Sequence, residues 1–232
     1  MKAKSMFGLL LLLLCASCQR DQCIIRGVTT EVADGDYMYL HNYPVSNYPV
    51  PEDLDSAEVK GGKFEFRIPR ASEEDFLPKA VCSYSNKNTT TSASVAMVFT
   101  QDAEVAYVRT KEQFEVTGFP YNDLFREVSL LPDSIDRLLG KETNLLLKDK
   151  TLTPAQKDSI ENRISALKAE YQDCQMKSIE ENIDNVVGAY LLYISARSMD
   201  TDKLKYFLDK LPAKFAGSPY FEEIKVYADR GK

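Results

Sequence analysis

Two hydrophobic periods divide this chain. Up to about residue 117, apolar and polar positions alternate in short runs; beyond it, apolar residues recur every three or four positions. Alternation places successive side chains on opposite faces of a strand, while spacing near 3.6 places them on one face of a helix. The first regime predicts strands over 23–28, 37–41, 57–59, 63–68, 78–84, 92–99, 103–109 and 114–117. The clearest is Lys63-Phe64-Glu65-Phe66-Arg67-Ile68, which alternates charged and apolar residues without a break. It predicts Phe64 and Phe66 on a buried face with Glu65 and Arg67 exposed. Gly61-Gly62 just before it suits a tight hairpin, whose central residues need positive φ. Short strands in succession with no helix between them predict an antiparallel β-sandwich over 23–118.

Gly118-Phe119-Pro120 marks the change of period, and 119–232 reads as a helical region. Leu124, Val128, Leu131, Ile135, Leu138 and Leu145 follow four-and-three spacing, with Glu142 as the one break. Pro132 lacks an amide proton and clashes with the preceding turn, so it is expected to end or kink this piece. Thr153-Pro154-Ala155-Gln156 is a helix start, with Thr as cap, Pro at the first position and Gln three residues on. Ile160, Ile164, Leu167, Tyr171 and Cys174 then repeat the heptad spacing. Two such stripes joined by a polar turn predict an antiparallel helical hairpin. Shorter helices follow near 185–197, 202–210 and 219–229, the last capped by Ser218. The fold class is therefore α+β.

The N-terminus changes the picture of where such a domain resides. Lys2 and Lys4, an apolar run from Leu9 to Leu14, and Ala16-Ser17 before Cys18 have the order of a secretory signal ending at a lipoprotein cleavage site. The apolar run is too short to remain as a membrane span. The reading is a signal peptide over 1–17, palmitate or related acyl chains on Cys18, and a tether over 18–22. An ordinary signal peptide cut before an unmodified Cys18 is the alternative. Gln19 after the cysteine favours the outer membrane, facing the periplasm or the cell surface.

Composition narrows the partners. Lys2 and Lys4 are the only charges in 1–17, so removing it takes the net charge from −6 to about −8. An acidic chain argues against nucleic acid and against attraction to anionic lipid heads. With Cys18 acylated, Cys23, Cys82 and Cys174 remain, and no C-x-x-C pair exists for dithiol chemistry. Cys82 and Cys174 lie in apolar patterns and read as small buried hydrophobes. Cys23, beside the anchor, is expected nearer the surface. A disulfide between two of the three stays open.

Three segments together resemble a known family. They are Asp55–Phe66, Val116–Asp123 and Asn182–Leu192. They are similar to the hairpin, the sheet-to-helix junction and the later helical segment of a domain of unknown function in Bacteroidetes lipoproteins. That domain commonly precedes a thioredoxin module in thiol-disulfide oxidoreductases. The resemblance covers most of 23–230. It implies a place in the cell envelope and, at one remove, an association with thiol redox chemistry. Redox members carry a W-C-x-x-C site; this sequence has no Trp and no such pair, so no catalytic residue carries over.

Little else in the sequence offers chemistry. His41 is the only histidine and is expected to be an exposed or hydrogen-bonded loop residue. Asp34/Asp36 and Glu73/Glu74/Asp75 lack calcium-loop spacing and read as solvated turns. No catalytic group, metal or cofactor is expected. The tandem Asn-Tyr-Pro-Val repeat puts Tyr43 and Tyr48 on a stiffened loop, either a recognition surface or a connector packed on the sandwich. Ser56, Ser134 and Ser159 each sit in an Asp-Ser-aliphatic triplet. That triplet resembles the O-glycosylation signal of Bacteroidetes exported proteins, although Asp and Ser also simply cap turns and helices. The functional expectation is a non-enzymatic, lipid-anchored module that binds an envelope protein or glycan. Its rival is an accessory of a thiol-redox system acting with a thioredoxin-like partner in trans.

Overall fold

The computed structural model describes residues 22–42, 53–72, 74–83, 96–101, 105–110 and 115–229. The signal segment, Cys18, Tyr43 and Tyr48 lie outside them. The chain forms two units, dividing after Asp123.

The first unit is built on β1 (Gln22–Thr29), β2 (Tyr37–Asn42), β3 (Asp53–Glu58), β4 (Lys63–Pro69), β5 (Lys79–Cys82), β6 (Ala96–Val98), β7 (Val105–Thr110) and β8 (Glu115–Thr117). All eight expected strands are present. The third begins earlier than its apolar residues indicate, because the polar Asp53–Ser56 pairs with β2 as well. The strands form two four-stranded sheets, β4-β1-β7-β8 and β3-β2-β5-β6. One pair departs from the antiparallel expectation: β1 runs parallel to β7, with Ile24 opposite Val105. Alternation reports which face a residue occupies, not the direction of the neighbouring strand, so the sequence carried no sign of this.

A single apolar cluster draws on both sheets. Cys23 and Ile25 of β1, Phe64, Phe66 and Ile68 of β4, and Val108 of β7 meet Met38, Leu40, Ala57, Val81 and Val98 of the other sheet. Phe66 is fully buried and Phe64 nearly so, while Lys63, Glu65 and Arg67 between them are exposed, as the alternation requires. Asn122 anchors the sheet-to-helix junction. Its side chain donates to the Phe99 carbonyl and accepts from the Phe99 amide, both at 2.9 Å, taking the place of a neighbouring strand.

Five helices are described: α1 (Pro120–Lys148), α2 (Pro154–Asn182), α3 (Val186–Ala196), α4 (Thr201–Lys210) and α5 (Pro219–Asp229). α2 starts with the full reciprocal cap. Thr153 accepts from the Gln156 amide, and the Gln156 side chain accepts from the Thr153 amide. α1 and α2 run antiparallel within the second unit. Glu142 pairs with Arg163 at 2.9 Å, and further back along α1 the Asp133 and Asp136 carboxylates act on Tyr171, further forward along α2.

Pro132 does not end the first helix; it lies inside one continuous α1. Nor do the expected leucines form the seam. Leu131, Leu138 and Leu145 are 54%, 49% and 40% exposed. The buried or half-buried row is Val128, Pro132, Ile135, Leu139, Glu142 and Leu146, which keeps Val128 and Ile135 but replaces Leu131, Leu138 and Leu145 each by the following residue. Pro132 thus belongs to the seam, and Glu142 is satisfied there by Arg163. On α2, Ile160 is buried, and Ile164, Leu167, Tyr171 and Cys174 are half-buried. α3 is apolar all round and central to the second unit, with Val186, Val187, Ala189 and Leu192 fully buried. Asn185 caps it through the Val187 and Gly188 amides. A Cβ on Gly188 would stand 1.8 Å from the Asn182 carbonyl oxygen, so only glycine lets α3 approach the end of α2.

Candidate functional site

A concavity lies in the first unit, around the turn that joins β3 to β4. Lys60-Gly61-Gly62-Lys63 is a two-residue turn with φ of 60° and 68° at the glycines, the primed geometry that the sequence signals. Lys60 and Lys63 bond amide to carbonyl in both directions, at 2.9 and 3.2 Å. The two arms then part, because β3 belongs to one sheet and β4 to the other. This turn is a corner between sheets, not the tip of a ladder.

Asp34 holds the corner. Its carboxylate accepts from both glycine amides, Gly61 and Gly62, at 2.9 Å each. These two bonds hold its pKa below the ordinary carboxylate value. Asp34 is an exposed turn residue, as expected, and its side chain also occupies the anion position that two successive amides create.

Beside this corner is a groove of about 930 Å³. Val28, Ala57, Phe64 and Val108 supply apolar lining, and Arg26, Glu58, Lys60, Lys63, Glu65 and Glu115 supply charge of both signs. The charges are organised in pairs. Arg26 donates to Glu65 at 2.7 Å, Arg67 reaches the other Glu65 oxygen at 2.6 Å, and Lys60 meets Glu58 at 2.7 Å. The Arg26 bond is the main reason that the Glu65 pKa lies below its ordinary value. The Phe64 ring lies over Gly27, its cross-strand neighbour. A Cβ there would stand 1.8 Å from the end of the ring, so Gly27 is what lets the aromatic approach β1 this closely. Fixed charges of both signs around an apolar lining can hold and orient a ligand of mixed polarity.

The other expected residues fall elsewhere. His41 ends β2 as expected, but it is 1% exposed and not a loop residue. Its Nδ1 lies 3.1 Å from Asp53, and its ring stacks near Tyr39. Cys23 is not near the surface; it is fully buried, and burial pushes its thiol up to about 11 despite the opposing Arg70 charge. Cys82 is buried, Cys174 is half-buried, and none of the three is in a disulfide. Ser56 is exposed in β3. Ser134 is half-buried within α1, where its hydroxyl donates to the Leu131 carbonyl, and not at a turn. Ser159 is exposed in the second turn of α2 and accepts from Arg163. Glu74 is exposed, whereas Asp75 pairs with Lys79 at 3.0 Å.

Sequence reasoning marked the glycine pair and the β4 alternation but not the groove. The missing signals were long-range: Asp34 is 27 residues from Gly61, and Arg26 is 39 from Glu65. A smaller polar cluster has no recognisable design for a ligand. Arg70 Nε, Asp75 Oδ1, Thr100 Oγ1 and Gln101 Oε1 are buried with no protein partner, on two segments joined by the Ala71–Thr100 bond. Buried polar atoms of this kind are where internal water sits. Among the described residues, no group of three or more His, Cys, Asp or Glu could hold a metal ion, and no helix is long and apolar enough to cross a membrane. Comparison with known protein families, with curated proteins and with solved structures gives no match for this chain.

Proposed function

We propose that this chain is a non-enzymatic, lipid-anchored envelope module whose β-sandwich docks a partner in the groove beside the Gly61-Gly62 corner. The supporting observation is the groove's lining. Its side chains pair with one another in salt bridges, an arrangement suited to recognition. Apolar positions and charges of both signs match a polypeptide segment better than a sugar, since the aromatic there is one phenyl ring occupied by Gly27 and Phe66. The anchor is acyl chains on Cys18, and the outer membrane is the location the lipobox favours. The rival thiol-redox role finds no support in the thiols: Cys23 and Cys82 are buried, and disulfide exchange needs an accessible thiolate.

Two experiments test this reading. Full-length chain is used as bait in envelope extract beside a Val28→Glu/Lys63→Glu variant. A polypeptide retained by the wild type and lost from the variant supports the groove; equal capture by both overturns it. Cys18→Ala should abolish palmitate labelling and leave the precursor uncut. A wild-type protein with an unacylated Cys18 by mass spectrometry would sink the anchor.

A further inference from the structure

We propose that α1 is a self-association surface, on which a second copy of this chain docks antiparallel through Leu131, Leu138 and Leu145. These leucines repeat every seven residues, the spacing of one of the two core positions of a coiled-coil heptad. Among the described residues they stand outside the seam, where the neighbouring row of Val128, Ile135, Leu139 and Leu146 is more buried. About half of each leucine is left exposed. Exposed leucines aligned on one helix face, with Ser134 and Lys141 beside the gaps, are what an interaction site would use.

Charge chooses the occupant and its direction. The positions flanking the row on the side away from the seam are Glu127, Ser134, Lys141 and Lys148, all exposed but Ser134. The flank is therefore acidic at its start and basic at its end. A twofold axis at Leu138 sets Leu131 against Leu145 of the second copy and Glu127 against Lys148 of the second copy. A parallel copy would instead set this flank against the other side of the row, where Pro132, Leu139 and Leu146 already belong to the seam, and would leave Glu127 and Lys148 without that pairing. An isologous contact of this kind closes on itself and gives a dimer, not a filament.

Cysteine cross-linking of the full-length chain reads the geometry directly. Leu138→Cys lies on the axis and is expected to form a disulfide-linked dimer with itself. Leu131→Cys is not, because its twin would lie about 21 Å away along the helix, far beyond the reach of a disulfide. Mixing Leu131→Cys with Leu145→Cys chains should restore the cross-link. Leu147→Cys, exposed outside the row, gives the background. In an independent arm, Glu127→Lys should lower the dimer fraction in sedimentation, and adding Lys148→Glu to the same chain should recover it. Unchanged urea midpoints in these variants would show that the fold is intact. Self-linking of Leu131→Cys would overturn the antiparallel arrangement. Dimer yields for Leu138→Cys no greater than for Leu147→Cys, or a wild-type chain that sediments as a monomer throughout, would overturn the interface itself.

Discussion

The β unit and α1 obey similarly clear hydrophobic periods, yet only the β unit puts its leading apolar residues where the period points. In β4 the alternation places Phe64 and Phe66 inside and Glu65 and Arg67 outside without exception. In α1 the four-and-three row that includes Leu131, Leu138 and Leu145 is half wrong. The difference is geometric. A one-residue slip in a strand turns every side chain to the opposite face, so the core rejects it. The same slip in a helix is a rotation of about 100°, and α1 carries leucine doublets at 138–139 and 145–146. Two adjacent rows both satisfy the period, and only the packing of α2 selects between them.

The sharpest test of that contrast is a pair of truncations. Phe66→Ala should cost roughly 3–5 kcal/mol, whereas Leu147→Ala, 74% exposed, should stay within about 0.5 kcal/mol. Urea midpoints decide it; equal losses would mean that the β4 register is wrong. Next in size is Gly188→Ala. The added methyl meets the Asn182 backbone at 1.8 Å, so α3 must shift, at about 1–3 kcal/mol. Gly27→Ala makes an equally short contact, but with the edge of the Phe64 ring. That ring borders the groove and can swing, so the loss should be smaller, with a change in near-ultraviolet dichroism from the displaced aromatic.

The rotated seam predicts a finer contrast. Leu139→Ala should lower stability by roughly 1–2 kcal/mol, in proportion to its half-buried surface. Leu138→Ala should leave the dilute chain nearly unchanged. Reversal of that order in thermal melts would restore the row read from the sequence. The smallest effect concerns pH. Asp34 has a folded pKa below its unfolded one, so its contribution is present above the unfolded value and is lost as pH falls through the folded one. Asp34→Asn should therefore flatten part of the acid limb of a stability profile and leave the neutral region with weaker holding of the corner. Glu65, Asp149 and Glu180 are depressed in the same direction and should keep the remainder of that limb. An acid limb identical to wild type would remove Asp34 from the role assigned to it.

Local chemistry was legible throughout. The Thr153 cap, the Ser218 start of α5, the positive-φ glycine pair and the eight strands all depend on neighbours a few residues apart. What escaped was decided at a distance. The burial of His41 depends on the β2–β3 pairing with Asp53, and the burial of Cys23 on β4 lying across it. Pro132 was read by its intrinsic cost to a helix, but half-buried neighbours along the seam on both sides hold α1 continuous. The groove is the extreme case, since its lining comes from five strands and the corner between two of them.

The parallel pairing of β1 with β7 carries a kinetic consequence. Ile24 finds Val105 only after about eighty intervening residues exist, and closing so long a loop is entropically slow. During synthesis β1 can pair with β4 long before β7 appears. Until then its other side offers a row of unsatisfied amides and carbonyls, next to fully buried-to-be Ile25 and Cys23. That makes the half-built sheet an adhesive edge. Whatever holds nascent chain apart at that stage has to act on this strand, and its task ends when β7 slides into place.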